Sequence, residues 1–334
     1  MTVQTEGAVV DSIMTLGNGS TKGNGMVAQA LLSGDFNVNA LRTHDVLRKD
    51  EWKLYDREVV EIAKARLVGV GELMRRGLVY NLPNALGVTR LEWENTTDLT
   101  PAAVTMSGIQ RSQEDLLEFS MTGMPIPIIH KDFSLNIRHL QASRRSGTPL
   151  DTTMAAKATR VVAEKIESIL WNGYTGLGSN NVIQGLTNAT YRNTDSVTAS
   201  WVTTSGANIV ADVLEMIGRA QADHMYGPYV LFVPIAVHTH MGDDYKAESD
   251  KSILSRVMEI AGIDAVVPTA ELSGTNVVMV QLTPDVIQMV NGIQPTLVQW
   301  DSHGGMVFNF KVLAIMVPRV RNDSENQSGI VHYS

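Results

Sequence analysis

The sequence contains no cysteine, which excludes disulfides, thiolate catalysis and metal sites built from cysteine. It also lacks any run of about 18 or more uncharged apolar residues, so we expect no membrane-spanning segment. Residues 1–12 show no basic region followed by an apolar stretch, and we therefore expect no secretory signal.

Positive charge is scarce, with 27 Lys and Arg against 35 Asp and Glu and a formal net charge of -8. Such a surface repels polyanions, which argues against a dedicated DNA-binding module. The charge is still compatible with a container whose inner wall merely tolerates DNA. Apolar residues make up 44% of the 334 positions, which is typical of a well-packed protein with one large domain or two smaller ones.

The N-terminal part divides into an arm and a helix. Residues 17–25 are rich in glycine and low in complexity, so residues 1–42 are predicted to form a flexible arm. Apolar residues then recur at helical spacing and predict a helix over residues 43–76, broken by Gly69, Gly71 and Gly77.

Two stretches of alternating apolar and polar residues follow, at 91–94 and 117–121, separated by a polar tip. This pattern predicts a long two-stranded arm over residues 89–124. A two-stranded ribbon has almost no core of its own and is marginal in isolation, so it needs another surface to lie on. A neighbouring subunit is one candidate for that surface.

The clearest helix is predicted over residues 150–172, with a length of roughly 33 Å. It ends at Asn172 and Gly173, which form a good C-terminal stop. Its expected apolar stripe consists of Met154, Ala158, Val161, Val162, Ile166, Ile169 and Leu170.

Residues 208–291 alternate predicted helices and strands, including a helix from Ile209 to His224 and a strand from Tyr229 to Val233. A helix is expected near Pro234 and another from Ser252 to Ala261. The last strands are predicted within residues 297–320, and a polar tail is expected to end the chain. Residues 208–291 are therefore predicted to form a compact α/β domain, and the chain as a whole is predicted to be α+β.

The most suggestive cluster for chemistry is His238 and His240, with Asp243 and Asp244 nearby. Two histidines two positions apart on a helix point about 200° apart and cannot share a metal, and the context after Pro234 favours helix. The sequence contains no Gly-x-Ser-x-Gly elbow and no His-Glu-x-x-His motif. We therefore predict no catalytic residue, no cofactor and no metal, and a protein that is not an enzyme.

The order of these elements over residues 43–321 resembles the HK97 capsid fold, and within it the encapsulin-like branch. The matching pieces are the helix around Trp52, the two-stranded arm, residues 125–135, the helix ending at Gly173, the turn at 182–186, residues 227–233, and the closing residues Phe308, Phe310 and Val312.

The resemblance implies a domain map. It consists of an N-terminal arm (1–42), an N-terminal helix region (43–88), an E-loop (89–129), a P-domain (130–207) with the spine helix 150–172, an A-domain (208–292), and closing P-domain strands with a C-terminal tail (293–334). It also implies three groups of structural residues: a loop at the capsomer axis with Asp243, Asp244, Lys246, Glu248 and Asp250; intersubunit E-loop residues Trp93, Leu99, Val104, Ile109, Leu117 and Phe119; and a spine core of Val162, Ile166 and Ile169.

Three functions are compatible with these observations. The first is a tailed-phage major capsid protein, forming hexamers and pentamers around double-stranded DNA, with portal, scaffolding and cement proteins as expected partners, assembled in the host cytoplasm. The second is an encapsulin shell housing a cargo enzyme. The third is an α/β enzyme, against which the unsupported arm and the missing site residues both count. The residues before the first helix and the long polar E-loop favour the tailed-phage major capsid protein.

Overall fold

The computed structural model describes residues 49–96, 104, 106, 119–146, 152–178, 181–246, 250–322 and 327–334. Within these ranges, no helix combines the length and the apolar character that crossing a membrane requires.

The predicted helix over 43–76 is two helices, α1 (Lys49–Arg66) and α2 (Val68–Arg75). The break is at Leu67, which has a non-helical backbone, and not at the glycines as expected. Gly69 lies inside α2 because the helix approaches a neighbouring helix very closely there. A Cβ at Gly69 would lie 2.8 Å from the Glu167 carboxylate and 2.9 Å from the Leu170 side chain.

The first sheet has four strands in the order β1-β9-β10-β4. Its members are β1 (Val79–Asn81), β4 (Ile129–Asn136), β9 (Ile287–Ser302) and β10 (Val307–Val320). Strand β10 pairs antiparallel with both β9 and β4, whereas β1 joins β9 in parallel. A short helix, α3 (Ile137–Ser146), follows β4.

The spine helix α4 (Thr153–Asn172) packs on this sheet and on α1. Val162, Ile166 and Ile169 are all buried in the resulting core. Two members of the predicted stripe are not: Met154 is 50% exposed and Val161 is 43% exposed. These two positions are seven residues apart and share an edge of the helix, about 100° away from the buried line through Val162.

The second sheet has five strands in the order β5-β11-β8-β6-β7. Its members are β5 (Asn193–Asp195), β6 (Tyr229–Pro234), β7 (Ile263–Thr269), β8 (Val277–Gln281) and β11 (Ile330–Tyr333). Helices α5 (Gly206–Ala222), α6 (Ile235–His240) and α7 (Ile253–Met258) enclose a second core with it. Helix α7 was predicted to end at Ala261, but it ends three residues earlier, at Met258.

The expectation of a polar C-terminal tail is wrong, because β11 is an inner strand of this sheet. It pairs in parallel with β5 and antiparallel with β8, and Ile330, Val331 and Tyr333 are fully buried. Burial raises the pKa of the Tyr333 phenol to about 12. Four residues are too short a stretch to show strand periodicity, so only pairing with β5 and β8 identifies them as a strand.

His332 on β11 makes this sheet sensitive to acid. Burial lowers the pKa of His332 below its usual 6.5, and the neighbouring Arg192 guanidinium lowers it further. The Arg192 Nε donates to His332 Nδ1 at 3.3 Å, so this nitrogen is unprotonated, while Nε2 lies 3.3 Å from Asn276 Oδ1. The unfolded chain takes up the imidazole proton at higher pH than the folded chain, so this contribution to stability is complete above pH 6.5 and is lost below it.

We therefore expect the free energy of unfolding to fall more between pH 7.5 and pH 5.5 in wild type than in His332→Gln. Urea unfolding curves at the two pH values measure the difference. An equal fall in both proteins would contradict the assigned role of His332.

Candidate functional site: surfaces available to neighbouring subunits

The two-stranded arm has a paired root. Strands β2 (Arg90–Thr96) and β3 (Phe119–Pro125) are antiparallel, with Arg90 opposite Pro125 and Thr96 opposite Phe119. We call this pair the ribbon. It forms a sheet of its own, which shares no strand pairing with the two larger sheets among the described residues.

The two faces of the ribbon differ in what they contact. Leu91 and Trp93 are half-buried and pack against the main core of the same subunit. Glu92, Glu94 and Met121 are exposed, and Met121 is 62% exposed although it is apolar. One face is therefore held by its own subunit, and the other is open to a second molecule.

An arginine fixes the root of the ribbon. The Arg319 guanidinium on β10 lies 5.1 Å from the ring centroid of Tyr80 on β1 and 5.5 Å from that of Trp93 on β2. Its Nη2 also donates to Gln288 Oε1 on β9 at 2.7 Å. Burial lowers the pKa of Arg319. A planar cation between two rings attracts both ring faces, so this contact ties the ribbon to the four-stranded sheet.

We expect Arg319→Lys to loosen the ribbon without unfolding the subunit, because an ammonium cannot stack on two rings at once. A loss of about 1–2 kcal/mol at this contact corresponds to roughly tenfold faster hydrogen exchange of the β2 amides. Hydrogen exchange with mass spectrometry measures it. The control is Arg90→Lys, since Arg90 is an exposed ribbon residue whose contacts with Glu92 at 3.1 Å and with the Gly123 carbonyl at 3.5 Å both lie within the ribbon. Unchanged exchange in Arg319→Lys would show that the contact does not hold the ribbon.

The residues predicted for the intersubunit E-loop differ in their surroundings and in whether the structure describes them. Trp93 is already engaged within its own subunit, and Val104 is 98% exposed. Leu99, Ile109 and Leu117 lie outside the described residues, and so does the side chain of Phe119. Contact of this group with a neighbour stays a prediction.

The loop predicted for the capsomer axis lies between α6 and α7. The Asp243 carbonyl accepts a hydrogen bond from the Ile253 amide at 2.9 Å, and Tyr245 N donates to Lys251 O at 2.9 Å. The loop is thus closed at its base, where Ser252 caps α7 by accepting from Ser255 N.

The charged side chains of this loop point to solvent. Asp243, Asp244, Lys246 and Asp250 are exposed, and Glu248 lies outside the described residues. The nearby Lys251 is paired with α7, because its Nζ lies 2.5 Å from Glu259 Oε1. The position of the loop at a symmetry axis stays a prediction.

His238 and His240 lie on α6, as their context indicated. His240 Nε2 is 2.9 Å from the Thr204 carbonyl oxygen, which accounts for its orientation. Across the described ranges, no three His, Asp or Glu side chains are close enough together to hold a metal ion.

Two buried carboxylates, Glu167 and Asp212, are not among the residues predicted from the sequence. Glu167 on α4 accepts from Gly69 N at 2.6 Å, Val70 N at 3.2 Å and Trp171 Nε1 at 3.0 Å. Burial raises its pKa, and the three N–H donors oppose that rise. The acceptor for the free amides of α2 thus comes from the spine helix.

The second carboxylate is Asp212 on α5, which ties a preceding loop to the second core. It accepts from the indole of Trp201 at 2.7 Å and from both the amide and hydroxyl of Thr198. An acidic residue in the interior of an apolar helical stripe was the available signal for both positions.

A spine helix on a four-stranded sheet, a separate α/β layer and a projecting ribbon define a protein with an encapsulin-like HK97 capsid fold. Solved structures with this fold align over most of the chain. The virus-like particle from Pyrococcus furiosus matches with a TM-score of 0.62 and 17% identity, covering 84% of this chain and 98% of the other. The capsid of Myoviridae phage XM1 matches with a TM-score of 0.60 and 12% identity, covering 74% and 85%.

The chain belongs to the family of unknown function DUF6260, whose model matches residues 39–333. The type 1 encapsulin shell protein EncA of Myxococcus xanthus is 28% identical over 60% of this chain, and the aligned part spans 65% of EncA. A diheme-cytochrome-encapsulin shell fusion protein of Kuenenia stuttgartiensis is 24% identical over 65% of this chain and is covered over 53% of its length. The chain therefore spans less than two thirds of either relative.

Proposed function

We propose that this chain is a structural subunit that assembles with copies of itself into a closed icosahedral shell of hexamers and pentamers. The ribbon is the observation that carries this proposal. Its inner face is anchored by Arg319, while its outer face exposes Met121 beside two glutamates. A ribbon with one free face gains stability when a neighbouring subunit covers it.

We further propose that the shell is the capsid of a tailed phage and encloses double-stranded DNA. Two features support this: the 48 residues that precede the described helix, and the polar stretch between the ribbon strands. Portal and scaffolding proteins, and a cement protein, are then the expected partners, and the virion is the expected location. The role is structural, without catalysis. The P-domain and A-domain assignments belong to the same proposal.

An encapsulin compartment is the second candidate, and the two encapsulin relatives favour it. Both candidates need the same shell, so the contents of the particle distinguish them.

The experiment has two stages. Size-exclusion chromatography with light scattering and electron microscopy asks whether the expressed chain forms capsomers or shells. Protein that stays monomeric under all conditions, including with a scaffolding protein, would overturn the shell proposal. Particles from the native source are then treated with nuclease. Protected DNA of uniform length supports the phage capsid, and a single abundant protein cargo without DNA supports the compartment.

If residues 242–250 surround the axis of each capsomer, the carboxylates of Asp243 and Asp244 from several copies lie close together. Like charges at short distance are unfavourable unless screened or bridged by cations. We expect the thermal stability of wild-type shells to rise with salt or Mg²⁺ more than that of the double variant Asp243→Asn/Asp244→Asn. Glu215→Gln, on α5, is the control for a general charge effect. An equal response of wild type and double variant would place the loop elsewhere.

A further inference from the structure

An open apolar groove with a volume of about 400 Å³ runs between α1, α2 and β9. Its wall is formed by Val60, Ala63, Leu67, Met74, Pro295 and Met316. Lys64 and Arg75 also line it. The Arg75 guanidinium is already paired with Glu72, with 2.6 Å between Nη2 and Oε1, so Lys64 supplies the positive charge.

The groove leaves apolar side chains facing solvent. Val60 is 46% exposed, although it lies on α1 beside the buried Val59 and Ala63. The groove is concave and mostly apolar, a shape that accepts the apolar side chains of another chain segment.

We propose that residues 26–32 of the same chain, Met-Val-Ala-Gln-Ala-Leu-Leu, bind in this groove. All but Gln29 are apolar and none is charged, which matches the wall. Asp35 follows three residues after Leu32 and would bring a carboxylate to the side of the groove lined by Lys64.

The connection between segment and groove is short enough to favour this binding. The described chain begins at Lys49, the first residue of α1, and Val60 lies on the same helix about 16 Å further along. The stretch from Leu32 to Lys49 can span up to about 55 Å, so it reaches the groove without strain. Such a tether supplies an effective concentration in the millimolar range, which a foreign peptide does not match at ordinary concentrations.

In this arrangement residues 26–32 of the same chain fill the groove. The N-terminal arm is then held at α1 and is not free to bind elsewhere. The inference needs only the folded subunit, so it does not depend on the proposed shell.

The absence of native cysteine makes the test selective. In the full chain, the pair Leu31→Cys and Val60→Cys is oxidised mildly and analysed by mass spectrometry of the linked peptides. The control pairs Leu31→Cys with Leu214→Cys, because Leu214 is 52% exposed on α5, away from the groove. We expect the first pair to form an intrachain disulfide at least about tenfold faster than the control.

Equal rates for the two pairs would overturn the proposal. Disulfides found only between isotopically distinct chains would also overturn it, and would assign the groove to a second copy. As a second measurement, Val60→Asp is expected to increase hydrogen exchange of residues 26–32, while Leu214→Asp does not. Val60 is half-exposed, so this substitution leaves the fold intact; unchanged exchange in residues 26–32 would count against docking.

Discussion

Ile166→Asp is expected to leave the chain insoluble or unable to form particles. Ile166 has no solvent exposure and lies in the core between the spine helix and the four-stranded sheet. An unpaired carboxylate there costs several kcal/mol, a large part of the stability of an ordinary domain. The soluble fraction after expression and the particle yield seen by electron microscopy measure the effect.

Val161→Asp is the matched control, because Val161 is on the same helix and is 43% exposed. We expect it to stay soluble, with a change of stability within about 1 kcal/mol. Normal particle yield from Ile166→Asp would mean that α4 does not pack on the sheet as described. If both variants are insoluble or form no particles, the outer edge of the helix is buried by another subunit.

Glu167→Ala is expected to detach α2 from the spine helix and to lower the free energy of unfolding by about 3 kcal/mol or more. The substitution leaves the amides of Gly69 and Val70 and the indole of Trp171 without an acceptor in the interior. Each unsatisfied buried donor costs roughly 1–3 kcal/mol. Urea unfolding gives the free energy of unfolding. Faster hydrogen exchange of the Gly69 and Val70 amides shows that the stability is lost at the contact between α2 and the spine helix.

Glu164→Ala serves as the control on the same helix. Glu164 is about half exposed and lies 3.9 Å from Arg66 and 3.6 Å from Arg160, and surface ion pairs of this kind contribute little. We expect a loss below about 1 kcal/mol. If the two alanine variants lose similar stability, the three hydrogen bonds to Glu167 do not anchor α2.

Long elements with strong periodicity were predictable from the sequence. The helix expected at 150–172 is Thr153–Asn172, and the strand expected from Tyr229 is Tyr229–Pro234. The strand is buried on both faces, so it reads as a continuous apolar run. In the helix, the core buries the repeating apolar side chains other than Met154 and Val161, because helix geometry places them on one face. The antiparallel ribbon followed from the alternation at residues 91–94 for the same reason.

Short elements and contacts between distant segments were not predictable. Leu67 interrupts the first helix because α2 turns to place Gly69 against Glu167, a contact between positions 98 residues apart. The four residues of β11 become a buried strand only through pairing with β5 and β8. Arg319 gives no sign in the sequence that it meets Tyr80 and Trp93, which lie on two other strands.

The sequence by itself determined the α+β class and the order of the elements, because local periodicity and composition record which face of each element is buried. That order resembles a shell-forming fold. The tertiary structure alone decided which partners satisfy the buried polar groups, where the ribbon is anchored and where the apolar groove between α1, α2 and β9 forms. Those properties depend on the relative placement of residues far apart in the chain. No local pattern encodes that placement, because the partner of a buried carboxylate or of a stacked arginine is chosen by how the sheets and helices pack.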